Sequence, residues 1–191
     1  ANVHIAGSEY QETFEAAEKY GREHQCVEIH AYDQHEVIAG AGTLAIEVDR
    51  QLSEFSTVVV ACGGGGLSGG LATWWGAKKR IVVVETKGTA TFANSLAIGK
   101  LTDVEVSGVA ADSLGARRLG HLGWNALRSV NAESSVVSDA DVLEAQSALL
   151  HEFDVVAEPA AAAGYAAIRS GRLKITDDER CLLIVCGGNS E

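Results

Sequence analysis

The chain has 191 residues, 47% of them hydrophobic and 21% charged, and a formal net charge of −11. That length suits one large domain, or one domain with a fragment of another, and it can bury a sizeable core. The acid excess argues against nucleic acid and anionic membranes as partners. No apolar run is long enough to span a bilayer and no basic-then-apolar leader is visible, so the expected location is the cytoplasm.

The sequence contains no Met and begins at Ala1. Either the initiator was removed or this is a piece of something longer, and residues 2–7, which already read as a strand running into a turn, do not look like a domain start. In chain order, a short strand is expected over 3–5. An amphipathic helix follows over 10–24, with Phe14, Ala17 and Gly21 at helical spacing. Ser8 is its expected N-cap, with Gln11 three residues on as the capping-box partner. A strand is expected over 26–30, a loop over 31–35, and a helix over 37–52. Its early Gly40-Ala41-Gly42 suggests close packing.

Residues 58–60 and 81–84 are continuous β-branched runs, the second ending in Glu85, as in strands buried on both faces. Helix and turn are expected over 89–99, a strand over 104–106, and a helix over 114–130 weakened by Gly120 and Gly123. A strand over 134–137 leads to Ser138, which caps a helix over 140–153. Asp139 and Asp141 suit that helix's positive end. Pro159, the one proline, sits in the first turn of an alanine-rich helix over 159–170. The last strand, 181–185, ends in the small turn Cys186-Gly187-Gly188-Asn189. Strands that alternate with helices and are apolar on both faces indicate an α/β fold, a doubly wound, mostly parallel sheet with helices on both faces.

The stretch that organises this pattern is Cys62-Gly63-Gly64-Gly65-Gly66-Leu67-Ser68-Gly69-Gly70. It runs from a buried strand into a helix. Its glycines remove every Cβ from a tight turn, so that bare amides and a helix N-terminus can face one anion. The four cysteines, Cys26, Cys62, Cys181 and Cys186, form no CxxC and no zinc spacing, and default to reduced thiols. HExxH, GxSxG and GxxxxGK[ST] are absent.

Two readings of the loop follow. Gly64, Gly66 and Gly69 make a GxGxxG, with Glu85 ending the next strand about 20 residues on, which would suit a nicotinamide-dependent oxidoreductase. The other reading covers nearly the whole chain, which resembles the fold-type II pyridoxal-phosphate enzymes, in the threonine/serine dehydratase and serine racemase branch. Residues 31–43, Ala31-Tyr32-Asp33 through Gly40-Ala41-Gly42-Thr43, are similar to the family's "PFD…viaGqgT" segment. Cys62 through Leu67 resembles its "vGGGGL" loop. Ala110-Ala111-Asp112-Ser113-Leu114 is similar to its "ADG" segment, Ala157-Glu158-Pro159 to "vEpsgA", and Cys186-Gly187-Gly188-Asn189 to "SGGN".

The resemblance implies the large-domain fold of that family, tryptophan synthase β-like, and pyridoxal 5'-phosphate as cofactor. It implies an ammonia-lyase that eliminates water from a hydroxy-amino acid, and a dimer in the full-length form. Carried over, the backbone amides of Gly63, Gly64, Gly65, Gly66 and Leu67 would hold the phosphate. Cys186 would lie beside the pyridine nitrogen and Glu158 near the cofactor. Read on their own, Cys186 fits a buried thiol and Glu158 an acidic residue at a helix N-terminus. Glu85 aligns with a carboxylate that binds a divalent cation in some members. Their second carboxylate is Thr91 here, and one carboxylate is a thin site for a hard cation.

The family's Schiff-base lysine and its substrate-gripping loop have no counterpart. None of Lys19, Lys78, Lys79, Lys87, Lys100 and Lys174 sits in such a context. On this resemblance residues 1–30 are the remnant of a small domain and 31–191 most of the large, cofactor-binding domain, and the chain alone is expected to be inactive. A non-catalytic ligand-binding protein of the same fold is the third reading.

Overall fold

A computed structural model of the chain describes residues 2–7, 10–52 and 54–189. They fall into two compact units, Ala1–His30 and Ala31–Glu191. The first unit is built on helix α1, Tyr10–His24, as the periodicity implies. The cap read at Ser8, with the Gln11 side chain, lies outside the described residues. Residues 3–5 and 26–30 do not form the expected strands. A strand is defined by ladder bonds to a neighbour, and these segments instead lay side chains on α1. The His4 ring lies 5.0 Å from that of Tyr20, and the His30 ring 5.1 Å from that of Phe14. Their alternating apolar residues, Val3, Ile5, Val27 and Ile29, are exposed.

The second unit runs α2 (His35–Gln51), β1 (Thr57–Ala61), α3 (Gly66–Trp75), β2 (Arg80–Thr86), α4 (Thr91–Ile98), α5 (His121–Ser129), β3 (Glu133–Val137), α6 (Asp139–Phe153), α7 (Pro159–Arg169) and β4 (Cys181–Leu183). The strands form one parallel sheet in the order β3-β2-β1-β4. The period of two along β1 sends Val58 and Val60 to one face. There they pack with Ala45, Leu71, Trp75 and Leu127 of α2, α3 and α5. Val59, with Val82 and Val84 of β2, faces the other way onto Val142, Ala145, Ala161 and Ala163 of α6 and α7. This is the doubly covered α/β sheet that continuous valine runs imply. Among the described residues no helix is long and apolar enough to cross a membrane.

Local signals work where expected. The Ser138 side chain accepts from the Asp141 amide while Asp141 accepts from the Ser138 amide, a complete capping box on α6. Pro159 opens α7. Two further expectations fail. Residues 104–106 join no ladder, and the helix expected over 114–130 begins only at His121. Its cap comes from far away: the Asp33 carboxylate accepts the His121 and Leu122 amides at 2.9 and 2.8 Å. Those first-turn donors have no partner inside a helix.

Candidate cofactor site

The sheet order places β2 on one side of β1 and β4 on the other. The C-terminal ends of β1 and β4 therefore flank a topological switch point, where open α/β sheets take their ligands. The glycine loop leaves β1 at this edge. Gly65 has φ of +85° and caps α3, a backbone state that glycine reaches without cost.

The loop is closely enclosed from behind. A Cβ on Gly64 would lie 2.3 Å from the Tyr32 ring, one on Gly65 2.6 Å from Leu119 Cδ1, and one on Gly63 3.2 Å from Leu114 Cα. Its carbonyls are turned into the protein. Gly63 C=O accepts from Thr91 Oγ1 at 2.8 Å, Gly64 C=O from the Gly120 amide at 2.9 Å, and Gly65 C=O from the Gly69 amide at 2.9 Å. That last contact is the first intrahelical bond of α3, so the Gly66, Leu67 and Ser68 amides precede it and have no helical acceptor. The Gly65 amide leans toward the Cys62 sulfur, giving it a weak partner already. Ser68 is fully buried, and its Oγ lies near Cys62 without a hydrogen-bond partner of ordinary geometry. Bare amides at a helix N-terminus with an unsatisfied hydroxyl behind them suit a phosphate.

At the end of β4, Cys186 and Gly187 meet Glu158. The Glu158 amide donates to Gly187 C=O at 3.0 Å. Its carboxylate lies over Gly187, where an added Cβ would be 2.5 Å from Oε1. Cys186 is exposed, not the buried thiol expected from its residue type alone. Partial desolvation of the sulfur, and then the nearby Glu158 charge, still hold the thiol above its ordinary value, so it is neutral at pH 7. Glu158 is also the N-cap of α7, and the Ala160 amide donates to Ser113 Oγ at 3.3 Å. The structure thus brings Gly63–Leu67 and the Cys186–Glu158 turn to the ends of neighbouring strands. Tyr32, Asp33, Thr91 and Ser113 support this edge. Two of the matching segments pointed to Tyr32, Asp33 and Ser113 without giving them roles.

Glu85 stands apart. It is fully buried near the end of β2 and faces the N-terminus of α4. Oε1 accepts from the Phe92 amide at 2.7 Å and lies 3.0 Å from Thr91 Oγ1, and Oε2 accepts from the Ala93 amide at 2.9 Å. Burial pushes its carboxyl up to about 7, against the pull of those bonds. Donors converging on both oxygens present positive charge where a cation would sit, so Glu85 does not fit a metal ligand. Among the described residues no group of three or more His, Cys, Asp or Glu is gathered as for a metal ion. The same burial counts against the dinucleotide reading, which needs this carboxylate free for a ribose. Gly69 serves helix packing instead, since a Cβ there would lie 2.9 Å from Gly123 Cα.

Comparison with known proteins decides between the readings. Residues 1–187 match the model of the family described as pyridoxal-phosphate dependent enzyme. The chain belongs to that family. It is 32% identical over 182 residues to a serine racemase of Arabidopsis thaliana, covering 92% of this chain and 55% of that protein. It is 29% identical over 192 residues to an L-threonine ammonia-lyase of Thermotoga maritima, covering 99% and 47%. The solved structure of maize serine racemase superposes with a TM-score of 0.91 at 28% identity, over 100% of this chain and 60% of that one. The chain thus spans about half the length of the curated relatives it matches. The cofactor of this family is pyridoxal 5'-phosphate, and the glycine cradle fits its phosphate group.

Proposed function

We propose that this chain is the cofactor-holding part of an enzyme that eliminates water from serine or threonine, giving a 2-oxo acid and ammonia. The main support is the meeting of the glycine cradle and the Cys186–Glu158 turn at the ends of β1 and β4, in a chain of the pyridoxal-phosphate family. The amides of Gly63, Gly64, Gly65, Gly66 and Leu67 hold the phosphate, with Gly65 shared with Cys62. Cys186 stands beside the ring nitrogen, and Glu158 lies close to the ring. Pyridoxal phosphate, when bound, supplies an electron-withdrawing ring that stabilises charge developing at the amino acid's α-carbon. A neutral thiol cannot keep a proton on the ring nitrogen as a carboxylate would, so Cys186 moderates that withdrawal, which suits elimination. Residues 1–30 belong to a small domain and 31–191 to the large domain, and the full-length protein is a dimer.

None of the residues that build this site is a lysine. The chemistry needs an amine that can attach the cofactor and move the α-proton, so the 191-residue chain by itself is inactive. The test is release of 2-oxo acid from L-threonine and L-serine with pyridoxal phosphate added. It compares this chain with one extended at its N-terminus by a lysine-bearing segment. Activity in the extended protein alone supports the reading. Turnover by the short chain well above that of free pyridoxal phosphate contradicts it. The matches to serine racemases favour a second reading, racemisation, which the same assay detects as D-serine.

A further inference from the structure

Thr91 sits where the glycine cradle, the end of β2 and the start of α4 meet. The residue is fully buried. Its one hydroxyl is 2.8 Å from Gly63 C=O and 3.0 Å from Glu85 Oε1. A hydroxyl carries one proton and two lone pairs, so it can donate to only one of these acceptors. Glu85 already receives the Phe92 and Ala93 amides at 2.7 and 2.9 Å. Gly63 C=O lies in a half-buried loop with no side chain of its own to fix its orientation, and its other contact is the weaker Cys62 S–H donor at 3.7 Å, so Thr91 makes the stronger bond to it.

We propose that Thr91 is a positioning residue for the phosphate loop, acting by fixing the Gly63–Gly64 peptide plane. In a planar trans peptide the C=O and the following N–H point in opposite directions. Drawing Gly63 C=O inward onto Thr91 therefore aims the Gly64 N–H outward, into the cradle. Glu85 and the first turn of α4 hold Thr91 in place, and Tyr32 behind Gly64 stops the plane from rolling back. The tie is made by protein groups alone and needs no cation. Thr91 touches neither substrate nor cofactor; it acts through Gly63.

This inference rests on the proposed phosphate role of the loop, and the test separates the two. Thr91→Ala and Thr91→Ser both lose the methyl group and differ only in the hydroxyl. Binding of pyridoxal 5'-phosphate and of unphosphorylated pyridoxal is measured by equilibrium dialysis for the parent chain and both variants, with and without EDTA. Loss of one such hydrogen bond is expected to weaken pyridoxal phosphate by roughly fivefold to tenfold in Thr91→Ala. Thr91→Ser stays within about twofold of the parent. Pyridoxal binding is the same in all three, and EDTA changes nothing. Hydrogen exchange at the Gly64 amide, measured without ligand, is faster in Thr91→Ala than in Thr91→Ser.

Equal affinity and equal exchange in the two variants overturn the proposal. So does parallel weakening of both ligands, which marks a merely structural role, or a parent affinity lost to EDTA. If the alanine variant does not fold, Thr91→Val keeps the shape without the hydroxyl and replaces it. A parent chain without saturable pyridoxal phosphate binding overturns the cofactor reading of the loop, and the exchange measurement then decides on Thr91 alone.

Discussion

Where the strands begin, Arg80 lies between two carboxylates. It is bidentate to Glu133 at 2.8 and 2.9 Å and donates to Glu179 at 3.0 Å, and Glu179 also accepts from Thr57. Where the strands end, the same sheet offers backbone amides without helical acceptors, an unpartnered Ser68 hydroxyl and a neutral thiol. Carboxyls respond oppositely at the two edges. Arg80 holds Glu133 below its ordinary value, and Thr57 with Arg80 does the same for Glu179. Burial raises Glu85 to about 7. At the first edge the charged side chains close on one another, with the Ser134 hydroxyl of β3 left unpartnered, while at the second the open donors gather at the glycine loop. The open edge is the one that can hold a ligand, and it needs the closed edge and the core to remain in place.

The largest effect that would break this contrast is at Gly65. Gly65→Asp puts a carboxylate in the cradle and a Cβ against Leu119. Two charges about 4 Å apart at an effective dielectric of about 20 interact by about 4 kcal/mol, roughly a thousandfold in affinity. Pyridoxal phosphate binding is therefore expected to vanish in dialysis. A variant that binds like the parent places the cradle elsewhere.

Next is the pH dependence of Glu85. Its folded value is raised, so its support for the fold is complete below about 4.5 and is lost as pH rises to about 7. The shift corresponds to about 3 kcal/mol at most. Urea midpoints of the parent should fall over that window. The slope should flatten in Glu85→Gln, at the cost of the Ala93 bond. An unchanged slope in the variant would show that other groups cause it.

Arg80→Met should cost about 2 kcal/mol, a modest value because Arg80 and Glu133 are partly open to solvent and screened. Glu133 and Glu179 are held low, so their support fades as pH falls through the carboxylate range, and the variant should lose that acid-side dependence. Pyridoxal phosphate affinity should not change. A weakened affinity at unchanged fold would mean that the edges are not independent.

How much of this the sequence discloses depends on the range of the interaction. The valine runs of β1 and β2, the Ser138–Asp141 box and Pro159 are local signals, and each produced the expected element. The glycine loop was legible because glycine is the one residue that marks a backbone requirement. The Asp33 cap on α5 joins residues 88 apart, and no periodicity carries that information, so the helix over 114–130 was read too long. The strands expected at 3–5 and 26–30 have β-type composition but no ladder partner among the described residues. Glu85 could be placed at a strand end, but nothing in its neighbours told whether it faced a ligand or the first turn of α4.

The smallest effect tests the contrast within one strand. Cys181 opens β4 at the closed edge, and Cys186 lies just past its other end at the open edge. Both thiols are raised by burial first and a glutamate second, with Arg80 drawing Cys181 partly back. Both are thus mainly neutral at pH 7, but Cys186 is exposed, as Cys26 is, and should alkylate with iodoacetamide faster than half-buried Cys181, with Cys26 as the reference. Bound ligand shields only what it covers, and its occupancy at ten times its dissociation constant is expected to slow labelling there by about tenfold. Pyridoxal phosphate should therefore protect Cys186 and leave Cys181 and Cys26 at their original rates, read site by site by mass spectrometry. Protection of Cys181 alone would put the ligand at the wrong edge of the sheet. Equal slowing of both thiols would indicate general tightening of the fold, and the cofactor position beside Cys186 would have to be given up.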